Sequence, residues 1–187
     1  VIKVRGNEYS LTKSVALVAS MAALGNVLAF ISMYVGRFHP QVALDFSNLA
    51  TAIVAIYLGP AMGMITGALV GIAPYYEFGV IGWLGPFLGF VGLTVGKALS
   101  GLFFGLLGRR TRPFLAVVLG FVPESIHIYI LFKFLTRLLL PAQIASGFTD
   151  ALILAVQTKA WFEIAIIGVL MEIVKKRKIV EAVLAPT

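Results

Sequence analysis

Residues Leu44 to Gly71 read L-D-F-S-N-L-A-T-A-I-V-A-I-Y-L-G-P-A-M-G-M-I-T-G-A-L-V-G. The fold turns on whether this is one long apolar helix or two short ones. Proline has no N–H to give a helix and pushes the residue before it out of helical geometry, so Gly59-Pro60 favours a break. Charge points the same way. With two helices, four membrane spans precede the arginine loop at Arg109, Arg110 and Arg112, which then lies on the same side as Lys3, Arg5 and Lys13. With one helix that loop would be translocated, against the tendency of Lys and Arg to stay inside.

Working outward, apolar runs of about 20 residues, enough to cross a hydrocarbon core of roughly 30 Å, give six spans. They fall at about 14–35, 42–58, 61–81, 85–107, 114–140 and 148–174. The expected fold is therefore an all-α integral membrane protein, with six transmembrane helices in one compact bundle and a single membrane domain over 1–187. Lys175, Lys176, Arg177 and Lys178 follow the sixth span, so ten of the fifteen basic residues fall on one side. Both termini are expected in the cytoplasm. The first apolar run is too long for a signal-peptide core and reads as a retained span.

Composition supports the bilayer as solvent. The 187 residues are 60% hydrophobic and 12% charged, with mean hydropathy +1.00. A soluble monomer avoids exposing so much apolar surface. The net charge of +7 is accounted for by orientation, and no basic-aromatic recognition module points to nucleic acid. With no cysteine, disulfides, thiolate metal sites and cysteine nucleophiles are excluded.

Glycines repeat at four-residue intervals, at Gly59, Gly63, Gly67 and Gly71, and another series runs through Gly85, Gly89, Gly92 and Gly96. Small residues at such spacing let helix backbones approach closely in lipid. Close internal packing is the expected role. Ala19 and Ala23 share a face of the first span and invite the same reading.

Charged residues within spans are costly, so they are expected to face one another or a cavity. At 1.5 Å per residue, Lys97, Glu124 and Lys159 lie roughly 18, 15 and 16 Å into their spans and share a level. Glu163 is one turn from Lys159, and His127 one turn from Glu124. Two readings stand: a neutralised network tying the fourth, fifth and sixth spans together, or a water-accessible site open to the outer face. Tyr76, Glu77, Trp83 and Asn48 at the outer ends favour the site. Three lysines against two glutamates suggest an anionic group on the ligand. Lys133 lies nearer the surface and can snorkel. No metal, phosphate-binding or nucleophile motif occurs, so no catalytic residue, metal or cofactor is assigned, and any ATP is hydrolysed by a partner. The competing reading is a membrane-embedded enzyme acting on a lipid or prenyl substrate through Glu124, His127 and Glu163. A structural or assembly subunit is a third.

The stretch Leu44–Gly71, with its acidic-aromatic entry, apolar helix, Leu-Gly-Pro turn and Gly-repeated helix, resembles the substrate-binding S components of energy-coupling factor (ECF) transporters. Ala19-x-x-x-Ala23 is similar to the alanine motif by which such subunits dock on a transmembrane T component, and Gly96–Leu107 with its basic loop also fits. The resemblance covers about Ser14 to Arg110; later spans agree only in length and polarity. It implies a six-helix vitamin-binding subunit in a prokaryotic plasma membrane, working with a T component and two ATP-binding-cassette ATPases. The ligand site it implies opens outward. Pro74-Tyr-Tyr-Glu-Phe stands where many members carry an acidic-polar stretch, and no residue identifies the ligand.

Overall fold

A computed structural model describes residues 2–4, 7–35, 37–39, 42–43 and 45–184. Nearly all of them are helical. The exceptions include two small antiparallel hairpins, β1 (Ile2–Val4) with β2 (Asn7–Tyr9), and β3 (Arg37–His39) with β4 (Val42–Ala43). The helices are α1 (Leu11–Val35), α2 (Asn48–Leu58), α3 (60–80), α4 (Gly85–Gly108), α5 (Pro113–Leu139), the one-turn α6 (Ala142–Ala145), α7 (Asp150–Lys176) and α8 (Ile179–Leu184).

Four of these, α1, α4, α5 and α7, are long and apolar enough to cross a membrane. Their surfaces are inverted relative to a water-soluble protein. Leu138, Phe87, Leu154 and Phe162 are 64–77% exposed, whereas Lys97, Glu124 and Glu163 are only 4–5% exposed. A helical assembly that faces its apolar side chains outward and its charges inward is built for hydrocarbon.

The six even spans of the sequence reading take a different form in the middle of the chain. The Gly59-Pro60 break is present: Gly59 has φ +92°, a left-handed value suited to glycine, and α2 and α3 fold against each other as separate helices. The second helix does not begin at 42, however. Val42 and Ala43 belong to a hairpin, and the Asp45 side chain accepts from the Ser47 N–H at 2.8 Å. That local bond offers the backbone an alternative to helix, and α2 starts only at Asn48. With 11 residues it is roughly 16 Å long, about half the hydrocarbon thickness. Nine of those residues are buried, which makes α2 a central helix.

Helix α3 is interrupted near Gly71. Asn26 of α1 donates to the Leu69 carbonyl (2.9 Å) and accepts from the Ala73 N–H (2.9 Å), the two groups an unbroken helix would bond to each other. A side chain inserted into the ladder, followed by Pro74, accounts for the break. The last segment, Tyr75–Val80, is π-helical.

From Gly59 to Gly71, α3 lies backbone to backbone on α4. A methyl group on Gly63 would strike the Gly101 carbonyl oxygen; one on Gly67, the Lys97 carbonyl; one on Gly105, Pro60. The first glycine series therefore packs internally, as expected. The second series does so less uniformly, since Gly85 faces open space and the tightest partners on α4 are Gly101 and Gly105. Helix α7 starts with Thr149, whose hydroxyl accepts from the Leu152 N–H, and ends with Lys175 and Lys176 against the negative helix end. The chain then doubles back, and α8 buries Val180 and Leu184 in the core.

Candidate functional site

Because α2 is half-length, the non-helical residues Asp45 and Phe46 reach the depth of the buried charges. Lys97 on α4 meets them there. Its ammonium donates to Asp45 Oδ2 (2.9 Å), Ser47 Oγ (2.6 Å) and Asn48 Oδ1 (3.4 Å), which commits all three of its N–H bonds. The Asp45 N–H donates to Glu163 Oε1 at 2.5 Å, and Glu163 Oε2 lies 3.2 Å from Lys159 Nζ. Irregular backbone at this depth is tolerated only where it is buried in protein or lines a cavity. Here it does both.

Glu124 on α5 is placed differently. Its Oε2 accepts from the Ser100 hydroxyl, while among the described residues Oε1 has no hydrogen-bond donor. Gly96 leaves room beside it: a methyl group there would stand 3.7 Å from Oε1.

These groups surround a cavity in which the centres of water molecules have about 150 Å³. At about 30 Å³ of liquid volume per water, it holds on the order of five waters or a small organic molecule. Lys97, Glu124, Lys159, Glu163, Asp45 and Asn48 supply its polar wall. Trp83, Phe78, Phe121 and Phe132 supply much of the apolar one, with Trp83 held edge-on to Phe148 (centroids 4.9 Å apart). Three helices change winding beside it. The π-helical segments Tyr75–Val80, Phe90–Val95 and Leu131–Leu135 each send one side chain into the wall, Phe78, Leu93 and Phe132 respectively. An extra residue in a helical turn re-aims the side chains after it, and such segments recur at functional sites.

The structure thus brings together six of the nine residues singled out for the site: Lys97, Glu124, Lys159, Glu163, Asn48 and Trp83. The other three lie off the cavity wall. His127 is turned to the Val91 carbonyl (2.7 Å), Tyr76 is 56% exposed, and Glu77 is half-buried. Lys133 is outside the site, paired with Asp150 at 2.6 Å. Asp45 and Ser47 join the site without being among the residues that the sequence singles out, although both sit in the stretch that decides the fold. The signal missed was the short helix: a start at Asn48 carries Asp45 inward, whereas a start at 42 places it one turn into a span. Ser100 and Asn26 gave no sequence signal beyond being polar within apolar runs.

This changes the charge count. The expected surplus of lysine becomes two lysines against three carboxylates, because Lys133 leaves the site and Asp45 enters. The network also differs from the one expected, since Lys97 is neutralised by the segment before α2 and not by α5 or α7. Ala19 and Ala23 are both exposed; the inward face of α1 is formed by Val18, Ala22, Gly25 and Ala29. The close internal contact expected of the two alanines is absent. Among the described residues, no group of three His, Asp or Glu side chains could hold a metal ion.

Fold and site together define an apolar helical protein, with four helices able to cross a membrane and a polar cavity among them. Comparison with models of protein families, with curated proteins and with solved structures finds no match for this chain.

Proposed function

We propose that the chain is a membrane-embedded solute-binding subunit of an ECF-type importer, capturing a small water-soluble vitamin or related micronutrient. The observation that carries this reading is the cavity itself. Polar side chains converge on one wall, aromatic rings on the other, and non-helical backbone enters at mid-depth, the arrangement of a ligand site within a membrane protein. In this proposal six helical segments cross the bilayer of a prokaryotic cell. The short α2 completes its crossing through the residues before it, and both ends and the Arg109–Arg112 loop lie inside. The cavity then opens outward at the Trp83 end. The exposed Ala19/Ala23 face of α1 is where a T component docks, and two ATPases bound to that component supply the energy.

The test is native mass spectrometry of the protein purified in mild detergent from cells grown on rich medium. A small molecule retained in about 1:1 ratio and lost on denaturation is expected. Protein that is always free of small molecules, and does not gain one from a vitamin mixture, would rule the reading out. Docking is tested separately by Ala19→Leu with Ala23→Leu. Ligand retention should persist while copurification of a transmembrane partner is lost; a partner still copurifying in full would remove α1 from the interface.

A further inference from the structure

Resting on the proposed binding role, we infer that the ligand presents a cationic, flat, hydrogen-bond-donating group to the Glu124 carboxylate. Most of the cavity's charges already have partners. Lys97 has its three acceptors, one of them the Asp45 carboxylate. Lys159 and Glu163 lie 3.2 Å apart as an ion pair one helical turn long. That leaves Glu124, 5% exposed and lining the cavity, with one oxygen held by Ser100 and the other without a donor among the described residues. A carboxylate oxygen that faces the cavity without a donor from the protein is the acceptor a ligand N–H would meet.

The second observation is the surrounding wall. Phe121 stands one turn before Glu124 and Phe132 two turns after it, with Trp83 and Phe78 completing an aromatic enclosure. Aromatic faces attract cations and stack on flat rings, so the same wall favours a delocalised cation over an anion of equal shape. The cavity's three carboxylates against two ammonium groups act in the same direction. An anionic ligand would bring a further negative charge into a space whose lysines are already paired.

Three probes of nearly identical shape separate the possibilities: benzamidinium, neutral benzamide and anionic benzoate, each titrated calorimetrically into the full-length protein in a non-ionic detergent. Benzamidinium is expected to bind at least about tenfold more tightly than benzamide, as for a charge-assisted pair, with benzoate weakest. In Glu124→Gln that advantage should fall to within about threefold. The ordering in the unaltered protein stands on its own if Glu124→Gln does not fold. Equal binding of benzamide and benzamidinium, tighter benzoate, or an advantage undiminished in a folded Glu124→Gln protein would overturn the inference and leave the binding role intact. Failure of all three to bind would overturn the inference as well, and the binding role with it where the protein also retains no small molecule.

Discussion

The two ends of the helical assembly differ in how much of their interior is filled. Toward Arg109, α3 and α4 touch backbone to backbone, with the Gly63 and Gly101 carbonyl groups filling the space a methyl would need. Toward Trp83 the same two helices, and α5 beside them, pass into π-helical segments that border a cavity, and α3 and α4 meet again at Gly79 and Gly89. Between the two regions stands the Lys97–Asp45 pair. The difference shows how a small membrane protein can be rigid and hollow at once. Dispersion between glycine-lined backbones fixes one end, and that fixed end allows unpaired polar groups and wide helical turns at the other.

The sharpest test of this division is the pair at its boundary. Asp45→Ala strips Lys97 of the one carboxylate within hydrogen-bond distance among the described residues and should destabilise the protein by about 3–5 kcal/mol, the range for breaking a buried ion pair. Combining it with Lys97→Met should recover much of that loss. Thermal unfolding in detergent measures both, and a single variant that melts like the parent would mean that the pair does not hold the two regions together.

Matched glycine substitutions probe the regions directly. Gly101→Ala meets backbone of α3 and should cost about 3 kcal/mol by overpacking. Gly92→Ala meets only the flexible end of Leu131, at 2.9 Å, and should cost under about 1 kcal/mol. Equal losses would erase the contrast. Asn26→Leu leaves the Leu69 carbonyl and Ala73 N–H without their partners, for a loss of about 1–3 kcal/mol. Amide exchange should quicken around Ala73 in that variant while the glycine-packed turns stay protected; uniform protection throughout would show that α3 does not need the bridge.

The smallest effect is expected where α8 folds back. Burial raises the Glu181 carboxyl, but hydrogen bonds from Lys175 (2.5 Å), from a backbone N–H and from the Tyr57 hydroxyl, together with the Lys175 charge, outweigh burial and hold it below the usual carboxylate range. Its contribution is therefore present above that range and is lost as pH falls through the lowered folded value. The pair is partly exposed, so the gain is about 0.2–1 kcal/mol. Glu181→Gln should flatten the acid side of the melting-temperature profile by that amount, and an unchanged profile would assign the acid loss elsewhere.

What the sequence determined by itself follows from the cost of the bilayer. Apolar runs specified six spans, of which α1, α4, α5 and α7 have membrane-crossing length, Gly59-Pro60 specified a break, and charges inside those runs had to turn inward. Lys97, Glu124, Lys159 and Glu163 could be named because each is expensive anywhere except a shared polar space. Tertiary structure alone decided who neutralises whom. Hydropathy cannot distinguish a span starting at 42 from a half-length helix starting at Asn48, because the residues between are compatible with either. The choice depends on a long-range bond from the Asp45 backbone to Glu163 and on the Asp45 side chain reaching Lys97. The outward turn of Ala19 and Ala23 was likewise beyond the sequence, because a face of small residues suits an internal neighbour and an external one equally well.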